Sequence, residues 1–317
     1  MVFGIGSNIE EAALFLRQGK LVAIPTETVY GLAGNGLNPD AVLEIFKVKS
    51  RPFFDPLILH ISSTDQLKSL VLSIPEPALK LAEVFWPGPL TMVFPKKEIV
   101  PDLVSSGLNT VAIRIPDHPL TRQLLQLLDF PLAAPSANPF GYISPTTAQH
   151  VADQLGEKIP YILDGGPCKI GVESTIVGFE NGKVIIYRAG GTSIESIEEI
   201  VGKTEIITSQ EKPSVPGMLE SHYAPRTKLM AGEIKELRNK YGTEKTGYIT
   251  FRNYIPGIDK NKQMVLSPDG SLDLAARNLF SSMRLMDASG YDLILAELVP
   301  DEGLGRAIND RLRRASK

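Results

Sequence analysis

Three hydroxyl side chains, Thr26, Thr28 and Tyr30, fall within five residues of the segment Pro25-Thr26-Glu27-Thr28-Val29-Tyr30-Gly31-Leu32. Further on, Lys49 and Arg51 flank Ser50 directly before Pro52. Hydroxyls beside an ammonium and a guanidinium are the chemistry of an anion pocket. The guanidinium suits two-pronged contact with a phosphate or carboxylate, and the ammonium supplies a compact point charge. Both clusters also have an architectural reading. Cations at a helix end satisfy the helix dipole, and threonines cap strand-to-helix turns. Pro52 weighs on the first choice, because it drives Arg51 out of helical backbone and lets the chain turn both cations toward one anion. For the threonines, the functional alternative is a polar wall at a strand end, where open α/β sheets place ligands.

The other candidates carry less weight singly. Thr110, Ala112 and Arg114 share one face of an alternating strand whose other face is Val111, Ile113 and Ile115. Arg114 is either solvated there or, if that face lines a cavity, a carboxylate ligand. Ser136 and Asn138 lie between Pro135 and Pro139, which fix where they point, but both are ordinary turn residues. Gly171-Val172-Glu173-Ser174-Thr175 reads as a backbone amide nest for phosphate or as a plain loop. Arg188, at the end of a hairpin strand, is open in the same way. His60 shares a strand face with Ile58, as a half-buried core histidine or a pocket wall. Cys168 is expected to have no catalytic role.

No G-x-x-x-x-G-K-[ST] loop, post-strand G-x-G-x-x-G, H-E-x-x-H or G-x-S-x-G occurs. A nucleotide handled by this chain is therefore held by other means. One cysteine rules out an intrachain disulfide and a cysteine-only zinc site. The histidines lack metal-ligand spacing.

Strands and helices in alternation must carry these residues. Ser7 to Leu16 reads as a helix with a Ser7–Glu10 capping box and Ile9, Ala12, Ala13 and Leu16 on one face, stopping at Gly19. Leu21 to Ile24 is a strand, and Ala41 to Lys49 a helix burying Val42, Ile45 and Phe46. Strands follow at Leu57 to Ile61, Leu90 to Phe94, Thr110 to Ile115 and Tyr161 to Leu163. Asn181-Gly182 predicts a type I′ hairpin. The loops carrying the candidate residues all follow strands. That placement predicts one cationic, hydroxyl-lined cleft at an edge of a single sheet.

Thr208 to Arg226 holds Pro213, Pro216, Gly217 and Pro225 with no periodicity, and reads as an interdomain linker. The expected division is 1–207, 208–226 and 227–317. The last part alternates strand and helix, which predicts a small three-layer domain with a parallel sheet. A length of 317 residues and 43% hydrophobic content suit two self-supporting cores. A net charge of −3 gives no global basic field for nucleic acid, so strong nucleic-acid binding is not expected. No apolar run approaches the ~18 residues of a membrane span, no signal-peptide pattern opens the chain, and a cytoplasmic setting is expected.

The same residues resemble the threonylcarbamoyl-AMP synthases of the YrdC-like family. The matching segments are the Pro25–Leu32 stretch, Lys49-Ser50-Arg51-Pro52, Asp55-Pro56-Leu57, Trp86-Pro87-Gly88-Pro89-Leu90-Thr91, Arg114-Ile115-Pro116, Ser136-Ala137-Asn138, Asp164-Gly165-Gly166 and Ser174-Thr175-Ile176-Val177, in the family's order. Pro216-Gly217-Met218, His222-Tyr223-Ala224-Pro225 and Asn309-Asp310-Arg311-Leu312 resemble the long, two-domain form. The resemblance implies an α/β fold: a YrdC-like twisted mixed sheet with flanking helices, plus a smaller Rossmann-like three-layer C-terminal domain. It implies conversion of ATP, L-threonine and bicarbonate to threonylcarbamoyl-AMP and pyrophosphate, by a nucleotidyltransferase serving threonylcarbamoyladenosine modification of tRNA. Hand-over to the tRNA threonylcarbamoyltransferase machinery follows from the same resemblance.

By resemblance, Lys49, Arg51, Ser136 and Asn138 hold phosphates. Thr28, His60, Arg114, Ala134 and Ser174 surround threonine, with Arg114 on its carboxylate. Thr110, Ser144 and Arg188 contact the nucleotide together with Arg51, Asp55 and Ser136, and the linker closes over the cleft through His222 or Tyr223. Magnesium is expected with ATP, bound mainly by ATP oxygens. Asp55 departs from the family, which commonly carries asparagine there; a carboxylate beside a phosphate repels it unless a metal intervenes. Two alternatives stand beside this reading: a non-catalytic RNA-binding module, and a related carbamoyl-adenylate enzyme with another substrate.

Overall fold

In the computed structural model, the described residues are 4–207 and 223–317. Among them, eleven strands hydrogen-bond into one mixed sheet. Across it run Gly4–Gly6, Tyr161–Leu163, Val22–Ile24, Gly31–Asn35, Leu132–Ala133, Ile58–His60, Thr110–Arg114, Leu90–Pro95, Thr175–Glu180, Lys183–Arg188 and Glu205–Ile206. Side-chain alternation sorts these strands into two faces. Leu59, Val111, Ile113 and Val177 join a core with Val42, Ile45, Leu81, Val151 and Ile197, so four helices (Pro39–Lys49, Glu76–Phe85, Ala148–Leu155 and Ile194–Val201) cover one face. On the other face, Ile9–Arg17 and Pro119–Leu127 pack over Val22, Ile24, Tyr161 and Leu163 at one end of the sheet. Burying each Leu or Ile in these cores stabilises by about 1.5–3 kcal/mol. At the other end Ile58, Ala112, Ile176, Ile185 and Tyr187 form a small cluster of strand residues. His60 and Arg114 stand on this face, two residues along from Ile58 and Ala112.

Local signals explain the element ends. The first helix starts one residue later than a Ser7 cap predicts: the Asn8 side chain accepts from Glu11 N at 3.0 Å and takes the cap. Pro39–Lys49 starts earlier than expected, because Asn38 caps Asp40 and Ala41 and Pro39 is preset for the first turn. That helix stops at Ser50, in left-handed backbone at φ 53°. Asn181 and Gly182 both have positive φ, as a type I′ turn requires.

A second sheet runs Lys228–Gly232, Leu293–Glu297, Thr246–Thr250, Gln263–Val265, all parallel. Ile234–Tyr241 covers one face, against Met230, Tyr248 and Leu295. Leu272–Ala288 and Gly305–Ala315 cover the other, against Leu229, Ile249, Ile294 and Ala296. This is the three-layer arrangement that strand-helix alternation predicted. Its second core also takes in Val29, Ile143 and Val172 from loops of the large sheet, so the two domains share buried apolar surface. No helix among the described residues is long and apolar enough to cross a membrane.

Candidate active site

A solvent-open cleft lies on the uncovered face of the large sheet. Five segments line it: Thr26, Thr28, Val29 and Gly31; Arg51 with Pro56, Leu57, Ile58 and His60; Arg114; Ala134 to Ser136; and Glu173–Ser174 with Arg188. Tyr223 adds a further wall.

Its floor is built around Arg114. The strands Ile58–His60 and Thr110–Arg114 run parallel with His60 opposite Arg114. The Arg114 guanidinium donates to Gly88 O at 3.0 Å and to Thr28 Oγ1 at 2.9 Å, and pairs with Glu27 Oε1 at 2.6 Å. Glu27 Oε2 accepts from Asp117 N at 3.0 Å. Of the two readings left open for Arg114, the solvated one is excluded, since the residue is 4% exposed. Thr26 Oγ1 donates to Val29 O at 2.6 Å. In its 2.8 Å contact with Thr28 it therefore accepts, and the Thr28 hydroxyl is the donor. Both hydroxyl protons are thus committed within the turn. Beside this floor, burial and then the Arg114 charge push His60 down to about 3, so its imidazole stays neutral.

The two cations at the end of the Pro39–Lys49 helix diverge. Arg51 lines the cleft; it donates to Asp55 O at 2.9 Å and Pro56 O at 2.8 Å and pairs with Asp55 Oδ2 at 2.9 Å. Lys49 lies behind the wall, its Nζ donating to Ser136 O and Asn138 O at 2.5 Å each. It braces the Ser136–Asn138 turn from within. Burial, and next the Arg51 charge, hold its ammonium well below the ordinary lysine range. The Asn138 amide donates to Pro139 O and Tyr142 O, which fixes the same turn, and Ser136 faces the cleft.

On the opposite wall, Arg188 donates to Ser174 O through Nε at 3.1 Å and Nη2 at 2.9 Å. Ser174 Oγ lies 2.7 Å from Thr91 Oγ1. Glu173 accepts the Ser144 hydroxyl at 2.5 Å, so Ser144 stands one side chain behind the wall. Within the Gly171–Thr175 loop, the Gly171 N–H donates to Thr28 O at 3.2 Å and the Thr175 N–H to Pro89 O at 3.0 Å, so these two amides are committed within the protein. Thr110 sits at the far end of its strand, opposite Pro95, and is not among the lining residues. The Tyr30 hydroxyl faces away, donating to Gly166 O at 2.8 Å. His222 lies outside the described residues. Cys168 is buried, and that burial pushes its thiol up.

The family model described as "Telomere recombination" matches residues 14–190, and that described as "Threonylcarbamoyl-AMP synthase, C-terminal domain" matches residues 192–317. The threonylcarbamoyl-AMP synthase of Pyrococcus abyssi is 44% identical, over 100% of this chain and 97% of the relative. The chain belongs to the threonylcarbamoyl-AMP synthase family. The Bacillus subtilis member is 41% identical over 98% of this chain and 93% of its own. A crystal structure of P. abyssi Sua5 complexed with L-threonine superposes with a TM-score of 0.91, at 41% identity, covering 100% of this chain and 97% of that one.

Membership of the threonylcarbamoyl-AMP synthase family makes this an enzyme of the nucleotidyltransferase type and favours the synthase reading over the RNA-binding alternative. In and around this cleft, three side chains matter that sequence reasoning left without a role. Glu27 holds Arg114, Glu173 holds Ser144, and Arg311 of the C-terminal domain reaches Glu173 at 3.0 Å. A carboxylate set among the apolar and hydroxyl residues of Pro25–Leu32 was a usable signal for Glu27, because a buried carboxylate requires a cation.

Proposed function

We propose that this cleft joins ATP, L-threonine and bicarbonate into threonylcarbamoyl-AMP. The observation that carries the reading is the pairing, in one cleft, of a fixed guanidinium on the floor with another on the wall. Arg114 is poised for the threonine carboxylate, and Arg51 for the phosphates. The threonine amine adds to bicarbonate and loses water to give a carbamate. A carbamate oxygen attacks the α-phosphorus of ATP, the bond to the bridging oxygen breaks, and pyrophosphate leaves. Such a step needs positioning and charge neutralisation rather than a protein nucleophile, which suits a wall of cations and hydroxyls.

In this reading Thr28, His60, Ala134 and Ser174 enclose threonine. Neutral His60 adds no charge beside its amine. Ser136 meets phosphate directly, while Lys49 and Asn138 shape the turn that presents it. Arg188 serves the nucleotide, with Ser144 and Thr110 more remote. Asp55 offsets one charge of Arg51, which eases the repulsion expected of an aspartate beside phosphate. Glu173, the one carboxylate among the described lining residues, is held by Ser144 and Arg311. That donor set fits a magnesium ion carried in by ATP oxygens rather than one held by the protein, and the ion would neutralise phosphate charge. The product would pass to the tRNA threonylcarbamoyltransferase machinery, in the cytoplasm.

The test is pyrophosphate release from ATP with threonine and bicarbonate supplied or withheld. Release that needs both is expected. Release indifferent to threonine, or supported equally by other amino acids, would overturn the substrate assignment.

A further inference from the structure

Glu173 is an anomaly in a cleft built for anions: it is 6% exposed and sits in a lining otherwise furnished with arginines, hydroxyls and apolar groups. Left alone, its charge would repel any phosphate entering beside Arg188. The charge that answers it comes from the other domain. Arg311, on the helix Gly305–Ala315, is 0% exposed and donates through Nε to Glu173 Oε2 at 3.0 Å. Its Nη1 donates to Ala189 O at 2.6 Å, and its guanidinium carbon lies 5.3 Å from the centre of the Tyr223 ring. Phe280 of the C-terminal domain stacks on that ring at 5.7 Å. Tyr223 also holds left-handed backbone at φ 65°, a conformation a bulky residue keeps only when its surroundings enforce it.

We propose that Arg311 is a positioning residue of the active cleft: it neutralises Glu173 and fixes the Tyr223 ring, so that the C-terminal domain completes the wall facing the anionic substrate. This rests on the reading of the cleft as the ATP site. The C-terminal domain thereby acquires a specific task in the reaction, carried by an ion pair between residues 138 positions apart, while Arg311 Nη1 also meets Asp310 Oδ2 of its own helix at 3.1 Å. Removing Arg311 alone leaves an uncompensated buried carboxylate next to the phosphates, the costly way to break such a pair, whereas removing both charges does not.

The experiment compares Arg311→Met, Arg311→Lys and the double variant Arg311→Met/Glu173→Gln in the full chain, by steady-state kinetics and by calorimetric titration with a non-hydrolysable ATP analogue and magnesium. We expect Arg311→Met to raise the KM for ATP and the analogue Kd at least about tenfold, with a smaller change in kcat. The double variant returns both to within about threefold of the native protein, and Arg311→Lys falls between. An arginine that served packing alone would leave the single and double variants alike. The proposal falls if Arg311→Met binds ATP normally, or if the double variant binds no better than the single one while both melt cooperatively. Should Arg311→Met fail to fold, Arg311→Gln against Arg311→Gln/Glu173→Gln gives the same comparison. Titration separates this proposal from the one beneath it. Native protein that binds the analogue and shows the expected order, yet makes no threonine-dependent pyrophosphate, leaves Arg311 in place and overturns the synthase reading. Normal turnover with the order absent overturns Arg311 only.

Discussion

Arg114 and Glu27 meet at 2.6 Å on the floor of the cleft, with side chains 4% and 5% exposed. A pair so withdrawn from water is held together by the cost of separating it. Glu27→Ala would strand a buried guanidinium and is expected to lower unfolding free energy by about 3–5 kcal/mol. Glu27→Gln should cost less, because an amide oxygen can still accept from Asp117 N. In either variant Arg114 loses one of its anchors, and the KM for threonine should rise more than the KM for ATP. Denaturant unfolding with threonine saturation curves checks both; an unchanged threonine KM would show that Glu27 does not position Arg114 for substrate.

The wall cation is tied in the same manner. Arg51→Ala removes the side chain paired with Asp55, whose own side chain is fully buried. Destabilisation of several kcal/mol is expected. Arg51→Ala/Asp55→Asn should recover part of that loss without recovering turnover, since the proposed phosphate contact is still missing. A double-mutant cycle by urea unfolding measures the coupling, and a coupling near zero would show that Asp55 does not hold Arg51 in place.

Much of the cleft was legible because strands alternate. Arg114 and Ala112 opposite Val111 and Ile113, and His60 with Ile58, were readable as a face before any partner was known. What stayed hidden was long-range. Lys49 reads as a free phosphate cation, yet its Nζ is satisfied by carbonyls 87 and 89 positions away. The Tyr30 hydroxyl, one of the three that drew attention, is committed to Gly166, at a separation of 136. No local pattern encodes which distant carbonyl a side chain will meet. Ser7 lost the helix cap to Asn8 for the opposite reason: adjacent residues both suited the role, and only the backbone path chose.

Stability should fall as the medium turns acidic, before most carboxylates titrate. His60 has its pKa pushed down to about 3 by burial and by Arg114, and His150 its own to about 4 by burial and by Arg284. Both are depressed below the value of an unfolded histidine, near 6.5. Below that value the unfolded chain binds more protons, so the stabilisation is complete above about pH 6.5 and is lost progressively as pH falls. The buried His60 contributes a slope of up to about 1.4 kcal/mol per pH unit, and the half-buried His150 a smaller, solvent-screened one. Urea unfolding at pH 7, 6 and 5 should show the decline, and His60→Asn should flatten it. An identical slope in the variant would mean that His60 is not buried neutral.

Gly171 sits where the domains meet. It has φ +84°, and an added Cβ would lie 2.5 Å from Arg277 Cα, so backbone on both sides would have to give way. Gly171→Ala is expected to cost about 1–3 kcal/mol and to loosen the docking of the helix Leu272–Ala288. Limited proteolysis should then cut the variant faster than the native chain while circular dichroism stays unchanged. Equal cleavage would place the tolerance of that contact higher than its geometry indicates.

The ion pair between Glu173 and Arg311 has a temporal side. The chain is made from its N-terminus, and 138 positions separate the two residues. At roughly 5–20 residues per second, Glu173 is synthesised about 7–28 s before the arginine that answers it. During that interval the large sheet can assemble with its cleft carrying an unanswered negative charge. A newborn chain is therefore expected to hold its nucleotide poorly until the helix Gly305–Ala315 docks, so synthesis itself delays the onset of activity.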